Sequence, residues 1–169
     1  VRDRSTGRAF AFASCDLGQL SQAVKLGVVD RLRELAPEED FGDENVMLSA
    51  THTHSGPGGY SHFLLFTAPT GFSRRHHRAI VEGIARSIID ARDRARPSRA
   101  FLIQGSLSGA SKNQSRIAYD ANPDASVFAD DVNSTMTLLE FPGIGLVNWF
   151  SVHTTSLPRE NRLVSGDNK

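Results

Sequence analysis

Cysteine is nearly absent from this sequence of 169 residues, with Cys15 its only copy. A lone thiol forms no intrachain disulfide and no Cys-x-x-Cys metal pair, so Cys15 reads as a small core residue. Long apolar runs are missing as well. None approaches the ~18–20 residues that a membrane-spanning helix needs, and Val1-Arg2-Asp3-Arg4 leads into no apolar stretch of the kind a signal peptide carries. Nor is there an excess of either charge: Lys+Arg and Asp+Glu both number 19, for a formal net charge of zero. That balance lacks the basic footprint of a general nucleic-acid binder and excludes nucleic acid as the expected partner. Repeats at a fixed period and low-complexity tracts are also lacking, which removes solenoid and fibrous architectures. What is present is a globular composition, 39% hydrophobic with 14 glycines, in a length that fits a single domain or part of one.

The pattern along the chain predicts a mixed α/β fold. Residues 8–14 (RAFAFAS) read as a strand, and Asp16-Leu17-Gly18 as a turn. From Gln19 to Leu35 the apolar residues Leu20, Val24, Val28, Leu32 and Leu35 fall at the spacing that lines one helix face. Pro37 ends that helix, and residues 45–51 (NVMLSAT) read as a second strand, completing a strand-helix-strand unit. Ser73 is placed to cap another helix running to about Ala95, with Ile80, Ile84, Ile88 and Ala91 on one face and Pro97 as its stop. Residues 100–105 read as a strand, followed by a polar loop to about Ser134. The strands Thr135–Phe141 and Gly145–His153 then look like a hairpin across Pro142-Gly143-Ile144. The expected architecture is a mixed sheet with flanking helices and histidines at strand ends.

One cluster is dense in ligand-type residues: Thr51-His52-Thr53-His54-Ser55-Gly56-Pro57-Gly58-Gly59-Tyr60, directly after a predicted strand. Ligands bind beyond the carboxyl ends of strands in α/β sheets. Extended backbone through His52 and His54 would project both imidazoles to one face, where they could share a metal ion or divide metal binding and proton transfer. Gly56, Gly58 and Gly59 offer close backbone approach to a small polar ligand. His153 stands at the end of another predicted strand and could converge on the pair if the two strands are neighbours; a catalytic zinc site wants at least one further protein ligand. By contrast His76 and His77, within Arg74-Arg75-His76-His77-Arg78, read as a solvated basic face. His62-Phe63-Leu64-Leu65-Phe66 reads as core packing or a lipid path, and Asp167-Asn168-Lys169 as a solvated terminus.

These motifs carry a resemblance. THTHSGPGGY at residues 51–60, NWFSVHTTS at residues 148–156 and the tail LVSGDNK at residues 163–169 resemble the neutral ceramidase family, over about Ser5 to Lys169. The resemblance implies the N-terminal part of a zinc-dependent amidase that cleaves the N-acyl bond of ceramide to sphingosine and a fatty acid. It implies His52 and His153 as zinc ligands and His54 beside the metal as proton carrier or oxyanion support. Substrate contacts are implied at Tyr60 and Gln114, along with peripheral membrane contact and an extracellular or secreted location. The family's further ligands, a glutamate and a tyrosine, and its serine nucleophile fall later in the chain than Lys169, so the remainder of a longer chain is an implied partner. Three departures stand out. The start passes from Thr6-Gly7 directly to Arg8-Ala9-Phe10 with several residues fewer than usual, Gln114 replaces an arginine, and Leu157-Pro158-Arg159 replaces a more polar stretch. Arg116, two positions on, is a candidate substitute for that arginine. Gln114, the shortened start and the ligands missing from this span favour an alternative, a non-catalytic relative or fragment that binds lipid or a partner, whereas the intact histidine loop favours the enzyme; an amidase for a different lipid amide is a third reading.

Overall fold

The computed structural model describes residues 1–67, 71–158 and 160–167. The chain forms two compact units, one of Val1–Ala95 with Thr154–Lys169 and one of Arg96–His153.

In the first unit, β1 (Ala11–Cys15) and β2 (Val46–Ala50) pair in parallel, from Ala11 opposite Val46 to Cys15 opposite Ala50. Parallel pairing requires a crossover, and α1 (Gln22–Leu35) supplies it. The Ser21 hydroxyl caps α1 by accepting the Val24 N–H, and the helix ends at Ala36, just before Pro37. A short helix, α2 (Leu64–Thr67), precedes α3 (Arg74–Asp93), which Ser73 caps through the His76 N–H as the sequence predicts. The two long helices pack together at Gly27, where a Cβ would come within 2.9 Å of the Val81 side chain. Mid-helix glycine disfavours α1 locally, and the close approach of α3 is what it allows. Across that contact Arg31 forks onto Glu82, Nε donating at 2.6 Å and a terminal nitrogen at 3.2 Å. Val24, Val28, Val29 and Leu32 of α1 join Ile84, Ala85 and Ile88 of α3 with Cys15, Leu17, Val46 and Tyr60 in one buried cluster. Cys15 is thus the core residue its sequence context suggests.

The second unit is an antiparallel sheet in the order β3 (Phe101–Ser106), β4 (Thr135–Phe141), β5 (Gly145–Phe150). The predicted hairpin forms, with Gly143 at φ +72° and Ile144 N–H donating to Phe141 O at 2.9 Å. Inside the stretch expected to be a plain polar loop there is a short helix, α4 (Arg116–Asp120), and a 3₁₀ turn at Ala125–Val127. Tyr119 organises them, its hydroxyl lying 3.1 Å from Ala125 O and 3.2 Å from Asp130 O. No residue from 96 to 153 is fully buried.

Two expectations are corrected. The described strands form two separate sheets, one parallel and one antiparallel, in place of a single mixed sheet. Phe63, Leu64, Leu65 and Phe66 do not pack in the core but are exposed, Leu64 and Leu65 each at 81%. Among the described residues no helix is long and apolar enough to cross a membrane.

Candidate metal centre

Past Ala50 the backbone does not stay extended. His52 takes φ +63°, a left-handed conformation that residues with a Cβ rarely adopt, so strand alternation is not what aligns the two histidines. Thr53 does that work instead. It is buried between two exposed histidines, its hydroxyl donating to Ser165 O at 2.7 Å and accepting the Ser55 N–H at 3.1 Å. Gly18 and Gly56 press on this anchor. A Cβ on Gly18 would sit 3.3 Å from Thr53 O, and one on Gly56 would sit 3.2 Å from the Thr53 methyl. With Thr53 pinned inward, the His52 and His54 rings stand outward with centroids 5.0 Å apart, nearly perpendicular at 83°.

His52 carries a second constraint. Its Nδ1 lies 2.6 Å from Gly18 O. A carbonyl only accepts, so Nδ1 bears the proton and Nε2 keeps its lone pair, the tautomer a metal ligand requires.

His153 arrives by a different route from the one expected. The strands β2 and β5 are not neighbours, and the histidines lie beyond the strands, which end at Ala50 and Phe150. The chain re-enters the first unit at Thr154, a buried residue whose hydroxyl donates to His52 O, with Thr51 O 3.4 Å away. One peptide bond from that anchor, His153 presents a ring nitrogen within 4.8 Å of the ligand atoms of His52 and His54. Three imidazoles so placed form a possible metal site, and nitrogen donors of this kind suit zinc.

The remaining sequence candidates fall around this centre. In the glycine-rich loop only Gly59 is left-handed, at φ +73°, where a Cβ would lie 3.1 Å from Gly71 O; Gly58 has open space and needs no special angle. Tyr60 lies in the core, its hydroxyl donating to Gln19 O at 2.7 Å and receiving Gln19 N–H at 3.2 Å; burial is the main cause that raises its pKa above the ordinary phenol value. Gln114 and Arg116 belong to the second unit, and the Arg116 guanidinium is taken up by Asp120 and Asp131 and stacked over Tyr119.

His76 and His77 are not a freely solvated face. Nδ1 of His76 lies 2.8 Å from Gly58 O, tying α3 to the glycine loop, and half-buried His77 packs against Phe72. Asp167 is likewise no solvated terminus. The Ser156 hydroxyl is the largest influence holding its carboxyl below the ordinary carboxylate range, helped by backbone N–H groups of Leu157, Ser156 and His54 and opposed by burial. Asn168, Lys169 and Arg159 lie outside the described residues.

Comparison with known proteins decides the family. The model of the neutral/alkaline non-lysosomal ceramidase N-terminal region matches residues 1–169. The chain belongs to that family. It is 39% identical to the neutral ceramidase of Pseudomonas aeruginosa over 100% of this chain and 26% of the relative, and 40% identical to neutral ceramidase 1 of Arabidopsis thaliana over 96% of this chain and 22% of the relative. The crystal structure of neutral ceramidase from Pseudomonas aeruginosa superposes with a TM-score of 0.90 at 41% identity, covering 99% of this chain and 28% of that one. A ceramidase complexed with C2 matches with a TM-score of 0.89 at the same identity. The chain therefore spans about a quarter of the length of these relatives.

Proposed function

We propose that this chain supplies the histidine half of a zinc amidohydrolase that cleaves the N-acyl bond of ceramide or a closely related lipid amide. The observation that carries the reading is the convergence of His52, His54 and His153 on one point, in a member of the ceramidase family. His52 and His153 hold the ion. His54 stands beside them to move a proton or support the developing oxyanion, tasks for which imidazole is suited at neutral pH. Zinc, when bound, polarises the scissile carbonyl and lowers the pKa of a bound water to about 7. The chain's own contribution is orientation: Gly18 O sets the His52 tautomer, Thr53 turns both rings of the loop outward, and Thr154 delivers His153. The rest of the ligand sphere comes from chain beyond this span, as does the nucleophile.

The test is to purify residues 1–169 beside a longer chain continuing through the C-terminal part of the family's catalytic domain. Zinc is measured after dialysis, and fatty-acid release from a short-chain ceramide is assayed. The expected result is zinc retention and turnover in the longer chain only, with His54→Ala there sparing zinc and lowering turnover about 10²–10⁴-fold. Turnover in the short chain contradicts this division of the site. Failure of both chains, with the longer one folded, favours the non-catalytic reading that Gln114 raises.

A further inference from the structure

The Asp167 carboxylate stands where the two histidine-bearing segments come together. Its Oδ1 accepts the Ser156 Oγ–H at 2.6 Å and the Leu157 N–H at 2.9 Å. Those residues follow His153 by three and four positions. The backbone N–H of His54 also acts on this carboxylate, helping to favour its charged form. Ser165, two residues earlier, is tied into the same loop. Its N–H donates to Ser55 O at 2.9 Å, its carbonyl accepts the Thr53 hydroxyl at 2.7 Å, and its hydroxyl accepts the Asp167 N–H at 3.1 Å.

Two costs are borne at this residue. Asp167 adopts φ +61°, and among the described residues His52 is the only other non-glycine residue in that region. Its Oδ2 is buried without a hydrogen-bond partner. Left-handed backbone at a residue with a Cβ and an unsatisfied buried acceptor both oppose folding, and such features persist where the surroundings over-determine them. Asp167 adds nothing to the apolar core, so packing does not account for keeping it there.

We propose that Asp167 is a positioning residue that sets the spacing between the His52–His54 loop and the segment carrying His153. It acts through the His54 backbone on one side and through Ser156 and Leu157 on the other, so that the three imidazoles are presented together before any ion binds. The proposal rests on the reading of those histidines as a metal site.

The experiment is a Co²⁺ titration of the longer chain that carries the complete ligand sphere, following the visible d–d band as a reporter of ligand geometry and the far-UV circular dichroism as a reporter of fold. Asp167→Ala is expected to weaken binding by about 10–100-fold, the range for loss of a group that orients a metal ligand, and to alter the band. Asp167→Asn keeps an oxygen acceptor for Ser156 and Leu157 and is expected to recover most of the affinity. Wild-type affinity and band in Asp167→Ala, with both lost in His153→Ala, overturn the positioning role and leave the metal site standing. Unchanged binding in His153→Ala overturns the metal site itself. Asp167→Asn as weak as Asp167→Ala in a folded chain also overturns the proposal, because the acceptor and not the charge is what the geometry uses. If Asp167→Ala unfolds, Ser156→Ala decides. It removes one of the two bonds to Oδ1, and an undiminished affinity in that variant overturns the proposal.

Discussion

The two units hold themselves together by different means. In the first, two helices close over a parallel strand pair, and every fully buried apolar side chain of the described residues lies there. In the second, ladder hydrogen bonds join three strands; the apolar residues of the central β4 are only half-buried, and on the outer strands Leu102 and Leu146 are largely exposed. Burial of apolar surface is the dominant favourable term in folding, so the first unit owns most of the stabilisation, and the loop with His52 and His54 is built on it. The difference explains how strained backbone at His52 is tolerated: the anchor beneath it, Thr53, is buried in the unit that has a core.

The largest effect expected from this contrast is in the helix core. Leu32→Ala, at a fully buried site, is expected to cost about 2–5 kcal/mol, whereas Leu102→Ala, at a site 70% exposed, should stay within about 0.5 kcal/mol. Urea unfolding of both variants checks this, and equal losses would erase the distinction between the units.

A second contrast lies inside the histidine loop's glycines. Gly59→Val forces a branched side chain into φ +73° beside Gly71 O and is expected to cost about 1–3 kcal/mol. Gly58→Val meets open space and should be close to neutral. A thermal melt of the pair distinguishes them, and matched losses would mean that the loop as a whole, not one residue, carries the constraint.

The smallest effect is electrostatic. Arg31 first, then Arg86, lowers the Glu82 carboxyl from an ordinary 4.5 to about 2. A carboxylate depressed on folding contributes stability that is present above its unfolded pKa and lost as pH falls through the folded one. The α1–α3 contact should therefore weaken between about pH 4.5 and 2. Both side chains keep about a third of their surface in solvent, which screens the pair, so the loss is small. Glu82→Gln should flatten that limb of the stability–pH curve, and an unchanged curve would show that the ion pair contributes nothing.

Much of this was legible in the sequence because it is local. The 3.6-residue spacing of Val24, Val28 and Leu32, the cap at Ser73 and the Pro142-Gly143 turn each act within a few residues, and each appears where the pattern places it. The histidine motif was legible as a ligand cluster by composition. Its geometry was not. The left-handed turn at His52 follows from a hydrogen bond between Thr53 and Ser165, and the arrival of His153 follows from Thr154 reaching His52 O, contacts spanning more than a hundred residues. Asp167 was misread for the same reason: short polar tails look solvated until their distant partners are known. The division into two sheets was hidden too, since alternation identifies a strand without naming its neighbour.

The central claim is that one ion can be held jointly by the histidine loop and by His153. X-ray absorption at the zinc edge of the zinc-loaded longer chain tests it most directly, because imidazole shells at about 2.0–2.1 Å give a distinct multiple-scattering pattern. The account predicts an imidazole contribution that falls by one ligand in His52→Ala and by one in His153→Ala. An unchanged spectrum in His153→Ala, with the variant folded, would contradict it.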